Sequence, residues 1–138
     1  MLNKERNVEH FNSIGKGHFP DLLGIRVTHI EEGKLHGEMP VKAALFAPNG
    51  YLHAGSIITF ADTIAGYSTM AHLPEKARSF TTIELKSNFL GAKKDGKLHC
   101  ECIAEHLGRT THVWRAIVKD PDTGKKIALF SCTQLIIY

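Results

Sequence analysis

Residues 49–66 read NGYLHAGSIITFADTIAG, a mostly apolar stretch with one carboxylate, Asp62, near its middle. From about Ala54 to Ala71, apolar residues fall on every side of a helical wheel: Ile57, Ile58, Phe60, Ala61, Ile64, Ala65, Tyr67, Met70 and Ala71. A helix that is apolar all round is enclosed by the rest of its domain. Its 18 residues, at about 1.5 Å each, span roughly 27 Å, enough to cross a small domain. A carboxylate buried there costs several kcal/mol, about 3–5 for an uncompensated charge, unless something pairs with it or uses it.

The flanking segments supply the rest of the architecture. LLGIRVTHIEEGKLHGEMPV alternates apolar and polar residues about Glu32-Gly33, the pattern of a hairpin with one buried face. A short helix over roughly residues 4–14 precedes it and ends near Gly15 and Gly17. Residues 42–52 are loop-like, with turn chemistry at Pro48 and Asn49-Gly50. After Pro74, SFTTIELKSNFL, GKLHCECIAEHLG, RTTHVWRAIVKD and KKIALFSCTQLIIY read as four long strands. Turns at residues 94–96, 107–108 and 120–124 separate them. One buried helix followed by a meander of antiparallel strands implies an α+β domain whose sheet curls around the helix.

At 138 residues, with no linker or repeat, the chain is expected to form one domain over residues 1–138. Its formal net charge is +3, with lysines and arginines spread along the sequence. Generic attraction to nucleic acid or membrane is therefore not expected. Cys100, Cys102 and Cys132 are an odd number without metal-ligand spacing, and the first two share a strand face as small core residues. The histidines elsewhere also lack metal-ligand spacing. MLNKERNVEH has no apolar stretch after its charges, and no run approaches the ~20 apolar residues of a membrane span. A cytoplasmic location is the expectation.

The element order and three short motifs resemble the hot-dog fold over residues 22–138. The motifs are His53-Ala54-Gly55, Ala61-Asp62-Thr63, and the strand pair around Glu105-His106-Leu107-Gly108-Arg109-Thr110-Thr111. More narrowly, the chain is similar to acyl-CoA thioesterases of the phenylacetate-pathway and 4-hydroxybenzoyl-CoA type. The resemblance implies hydrolysis of a thioester to a free acid and coenzyme A. Coenzyme A enters as part of the substrate, and no other cofactor or metal is implied. It also implies a homodimer, commonly a dimer of dimers, with active sites between subunits.

The residues allow part of this chemistry to be argued independently. A helix starting near Ala54 leaves the N–H groups of Ala54, Gly55 and Ser56 without intrahelical partners. Small side chains at 54 and 55 keep them accessible, and the helix dipole favours negative charge there. That is an oxyanion site, one donor of which is worth about 3 kcal/mol. Asp62 lies nine residues after His53, about 13.5 Å along the axis and roughly 180° around it. The two cannot serve one carbonyl carbon within one chain. Either they serve different functions, or the acid comes from a second subunit, and the resemblance implies the latter. Asp62 would attack the thioester or activate a water, and must be ionised for either role. A donor such as Thr63, or one from the partner subunit, would hold it charged.

The chain departs from the family pattern in three places. Many relatives have Asn or Gln six residues before the His, where this chain has Ala47; the nearest amide is Asn49. Ala54 stands where Gly is common. Gly66 occupies the position four residues after the acid that often carries a hydroxyl in the 4-hydroxybenzoyl-CoA enzymes, which favours the Asp-type, phenylacetate-pathway branch. Candidate contacts for the substrate's coenzyme A are Asn88, Phe89, Lys93 and Lys94, and, by resemblance, Arg109, Thr110 and Thr111. The acyl pocket would depend on Phe60, Tyr67, Phe80 and Phe89.

Two other classes compete. Gly17-His18-Phe19-Pro20, with Glu32 fourteen residues after His18, is similar to hot-dog dehydratases acting on acyl-carrier-protein substrates. The intervening LLGIRVTHI, however, reads as a strand rather than an entry to the central helix. The third class is a hot-dog protein that binds acyl-CoA without turnover.

Overall fold

The computed structural model describes residues 1–138. Two short helices, α1 (Val8–Ile14) and α2 (Phe19–Leu22), lead into the hairpin β1 (Arg26–Glu31) and β2 (Lys34–Pro40). A single 3₁₀ turn at Ala43–Leu45 precedes the long helix α3 (Ala54–Ala71). The strands β3 (Ser79–Phe89), β4 (Lys97–Leu107), β5 (Thr111–Lys119) and β6 (Lys126–Ile137) complete the chain. All pairings are antiparallel, and the sheet order is β1-β2-β4-β5-β6-β3. This is the α+β hot-dog architecture expected above, with α3 laid across one face of the curved sheet.

One expectation is corrected. The last four strands are not a simple meander, because β3 leaves β4 and pairs with β6 at the far edge. Both sides of β4 are taken, by β2 and β5. The linker 90–96 begins with Leu90 and Gly91 N–H donating to Ile127 C=O on β6 and ends with Val41 N–H on Gly96 C=O beside β2. Three strand spacings of about 4.8 Å come to roughly 14 Å, a gap those residues bridge easily at about 3.3 Å each. A lysine–aspartate turn signal thus marks a crossover rather than a hairpin.

The helix seats because the sheet makes room for it. A Cβ at Gly37 would collide with Ile64 Cδ1 and come within 3.0 Å of Arg26 C=O. Around this contact lies a core that includes Leu35, Met39, Phe60, Ile64 and Trp114, all fully buried. Trp114 Nε1 donates to Thr69 Oγ1 at 2.7 Å, so the largest core residue also satisfies its polar atom on α3. Cys100, Cys102 and Cys132 are free and buried. At the helix end, His72 Nε2 accepts Gly33 N–H at 2.9 Å and Nδ1 donates to Ser68 C=O at 2.7 Å. That neutral ring ties the β1–β2 turn to α3, and burial holds its pKa below the usual histidine value.

Enclosure of α3 is incomplete within one chain. Ile57, Phe60, Ala61, Ile64, Ala65, Ser68 and Thr69 are buried, but Asp62, Thr63 and Gly66 are only half-buried. Asp62 and Gly66 face β3, Asp62 toward Thr82, and a Cβ at Gly66 would lie 3.5 Å from the Phe80 ring. Beside them β3 is an open edge, with Ile83 56% and Leu85 41% exposed.

Candidate active site

The start of α3 is built by a short antiparallel bridge, Phe46 to Leu52, closed by Ala47 N–H on Tyr51 C=O at 2.7 Å. His53 N–H donates to Leu45 C=O at 2.9 Å, which fixes where the helix begins. His53 is then the N-cap, and its Nδ1 accepts the Gly55 N–H at 2.8 Å. With Nδ1 accepting, the neutral ring carries its proton on Nε2, so this exposed side chain presents a donor outward.

That cap changes the expected set of oxyanion donors. Gly55 N–H is occupied by His53, and Ser56 N–H donates to His53 C=O at 2.9 Å. Only Ala54 N–H, on an exposed residue, has no acceptor within the chain. The donors at this helix start are therefore the Ala54 amide and His53 Nε2, not three successive amides.

Asp62 is the one charged residue of α3. Its Oδ1 is buried without a hydrogen-bond partner. Burial raises its pKa above the usual carboxylate value, and a hydrogen bond with Thr82 partly opposes this. The hydroxyl that opposes the rise is that of Thr82 on β3, across from the helix, rather than that of Thr63. A β-bulge puts Thr82 there. Thr82 pairs with Gln134 and Glu84 with Thr133, so the extra residue Ile83 resets the pleat and turns both Thr82 and Leu85 toward the helix side. Thr82 Oγ1 lies 2.8 Å from the Gln134 amide oxygen, and Gln134 Nε2 lies 3.5 Å from Cys132 Sγ. No sequence motif marked Thr82, because alternation alone cannot locate a bulge.

The remaining candidates separate. Asn49 Oδ1 accepts Tyr51 N–H at 3.2 Å, an Asx turn that shapes the loop before the helix start. Lys93 Nζ is held by Asp120 at 2.7 Å and Asp122 at 3.0 Å, so its charge is already paired. Lys94 is the available cation, 4.7 Å over the Tyr51 ring. Phe89 lines a cavity beside Ala54, whereas Asn88 lies on the opposite face, in a shallow groove with Lys86 and Arg115. Arg109, Thr110 and Thr111 sit at the β4–β5 bend, where Ile136 N–H donates to Thr110 C=O. This is the end of the sheet next to the C-terminus of α3, far from His53 in the same chain.

Two cavities flank the helix start. One, of about 490 Å³, is lined by Phe19, Leu22, Leu45, Phe46, His53 and Thr59. The other, of about 320 Å³, is lined by Tyr51, Ala54, Ile57, Phe89, Lys93 and Ile127. The Gly-His-Phe-Pro segment thus contributes Phe19 to a wall near His53. Its supposed acid, Glu32, is instead in the β1–β2 turn, where it accepts Leu2 N–H at 2.8 Å. The dehydratase-like pair is not assembled. No helix is long and apolar enough to cross a membrane.

The chain belongs to the thioesterase superfamily, whose sequence profile matches residues 49–127, the stretch that carries the helix start and Asp62. It is similar to the proofreading thioesterase EntH of Klebsiella pneumoniae, 34% identical over 98 residues, 71% of each chain. It is also similar to the 1,4-dihydroxy-2-naphthoyl-CoA hydrolase of Escherichia coli, 29% identical over 116 residues, 82% of each chain. Among solved structures, a variant of the thioesterase PA1618 of Pseudomonas aeruginosa superposes with a TM-score of 0.92. That match is at 28% identity and covers 99% of this chain and 97% of that one.

Proposed function

We propose that this thioesterase hydrolyses an acyl-CoA, with Asp62 as the general base, in a site completed by a second copy of the chain. The observation that carries the reading is Asp62 itself: a lone, half-buried carboxylate with an unpartnered oxygen, beside an open apolar strand edge. Names of relatives that include a CoA thioester hydrolase support the substrate class. A raised pKa suits a base, since a more basic carboxylate takes a proton from water more readily.

In this reading two β3 strands pair about a two-fold axis and cover each other's edges. The α3 helices then run antiparallel, so Asp62 meets the partner's His53 and the partner's Ala54. The same operation brings the Arg109–Thr111 end of one chain toward the helix start of the other, where Lys94 also lies. The substrate carbonyl accepts from Ala54 N–H and His53 Nε2. Asp62 takes a proton from water as the water oxygen bonds to the carbonyl carbon. Collapse of the tetrahedral adduct breaks the C–S bond, and the departing thiolate recovers the proton. The acyl group and the pantetheine arm occupy the two cavities that flank the helix start.

Release of free thiol from a panel of acyl-CoAs tests this. Asp62→Asn is expected to lower kcat at least about 100-fold, the scale of general-base removal. Undiminished thiol release in that variant contradicts the role of Asp62. Conversion of an enoyl thioester without thiol release points to a hydratase, and binding without turnover to a carrier.

A further inference from the structure

Cys132, Gln134 and Thr82 form a line of polar groups that ends on Asp62, and the thioesterase chemistry above uses only the last of them. Gln134 and Cys132 are fully buried. Their spacing along the line is 3.5 Å from sulfur to the amide and 2.8 Å from the amide to the Thr82 hydroxyl. A buried glutamine at the back of a reactive carboxylate calls for an account of where its donors and acceptor go.

The amide has two orientations of equal shape, distinguished only by hydrogen-bond balance. With Oε1 toward Thr82, the threonine's single proton is spent on the amide, and Asp62 receives nothing from it. The amide nitrogen then donates to a thiol sulfur, a weak acceptor. With the amide turned over, Cys132 S–H donates to Oε1, Nε2–H donates to Thr82 Oγ1, and the Thr82 proton is left for Asp62. Each link then pairs a donor with a suitable acceptor, and no heavy atom moves. The Cys132 thiol keeps its proton for this purpose, since burial and the nearby Asp62 charge push its pKa up to about 12.

We infer that Gln134 is a positioning residue: its amide presents Nε2 to Thr82 and thereby directs the Thr82 hydroxyl proton onto the Asp62 carboxylate. The inference rests on the reading of Asp62 as the base, and adds what keeps that base ionised in a half-buried site. A polarised hydroxyl donor stabilises the carboxylate against the desolvation that raises its pKa. Within one chain the titratable groups around it are Cys132 on β6, held neutral, and the exposed Glu84 on β3, which acts on Cys132 and accepts from Thr133; in the proposed dimer the partner's His53 also faces it and is unchanged in all three variants below. No other charged residue lies on α3.

The two amide orientations predict opposite signs in one experiment on the full-length protein. The Asp62 carboxyl carbon is followed by NMR across pH, together with the acid limb of kcat/KM, in Gln134→Met, Thr82→Val and Thr82→Ser. Thr82→Val is expected to move the Asp62 midpoint and the acid limb upward and to lower kcat/KM on that limb about tenfold, the scale of one charge-assisted hydrogen bond. Gln134→Met is expected to move both in the same direction by less, and Thr82→Ser to restore the wild-type limb. If the amide instead withholds the proton, Gln134→Met lowers the Asp62 midpoint; that result, or no movement in Thr82→Val, overturns the inference. The carboxyl titration reports the relay even if Asp62→Asn retains activity, so failure of the relay and failure of the catalytic assignment are distinguishable.

Discussion

In the proposed function, Asp62 is a stability cost retained for chemistry. Its pKa is raised in the folded chain above the ordinary carboxylate value of 3.8. A group of that kind contributes stability below the unfolded pKa, and the contribution is lost as pH rises through the folded value. Asp62→Asn, which keeps the shape and removes the charge, is therefore expected to raise Tm at pH 7. The difference should narrow as pH falls toward 3.8, and thermal unfolding across pH checks both. A variant at once more stable and inactive is the usual relation between a functional charge and its fold. An unchanged or lowered Tm at pH 7 would mean that the charge is compensated in the folded protein, by its own chain or by a partner's.

At the scale of elements, the seat of α3 on β2 depends on the missing side chain at Gly37. Gly37→Ala puts a methyl against Ile64 Cδ1 and the Arg26 carbonyl, and overpacking of this kind costs about 1–3 kcal/mol. The urea midpoint should fall accordingly. Ile64→Val, which removes Cδ1, should recover part of the loss in the double variant, and simple additivity of the two would place the clash elsewhere. The sequence made α3, the hairpin and all four long strands legible, because period and turn chemistry are local. It did not reveal the crossover of β3 to β6, which depends on β4 having both sides filled. Nor did it reveal the bulge at Ile83, which turns Thr82 onto Asp62. The helix start that makes His53 its N-cap was legible, but the His53 ring closing on Gly55 N–H was not, since a cap's side-chain rotamer leaves no periodic trace. Lys93 looked like a free cation because its partners, Asp120 and Asp122, are nearly thirty residues away.

For the whole molecule, the half-open helix and the apolar β3 edge describe the same deficiency, a fold that leaves one side of its central helix to be covered. In the proposed function, the separation of His53 from Asp62 along α3 describes it again in chemical terms: one chain would hold the oxyanion donors of one site and the acid of another. The most direct test combines the two halves. Chains carrying Asp62→Asn and chains carrying His53→Ala, each with strongly reduced thiol release, are mixed, and subunit exchange is verified by mass spectrometry. A mixed dimer has one site with both defects and one intact, so the account predicts recovery of about half the wild-type activity per dimer. No recovery in verified mixed dimers would contradict a site shared between two chains.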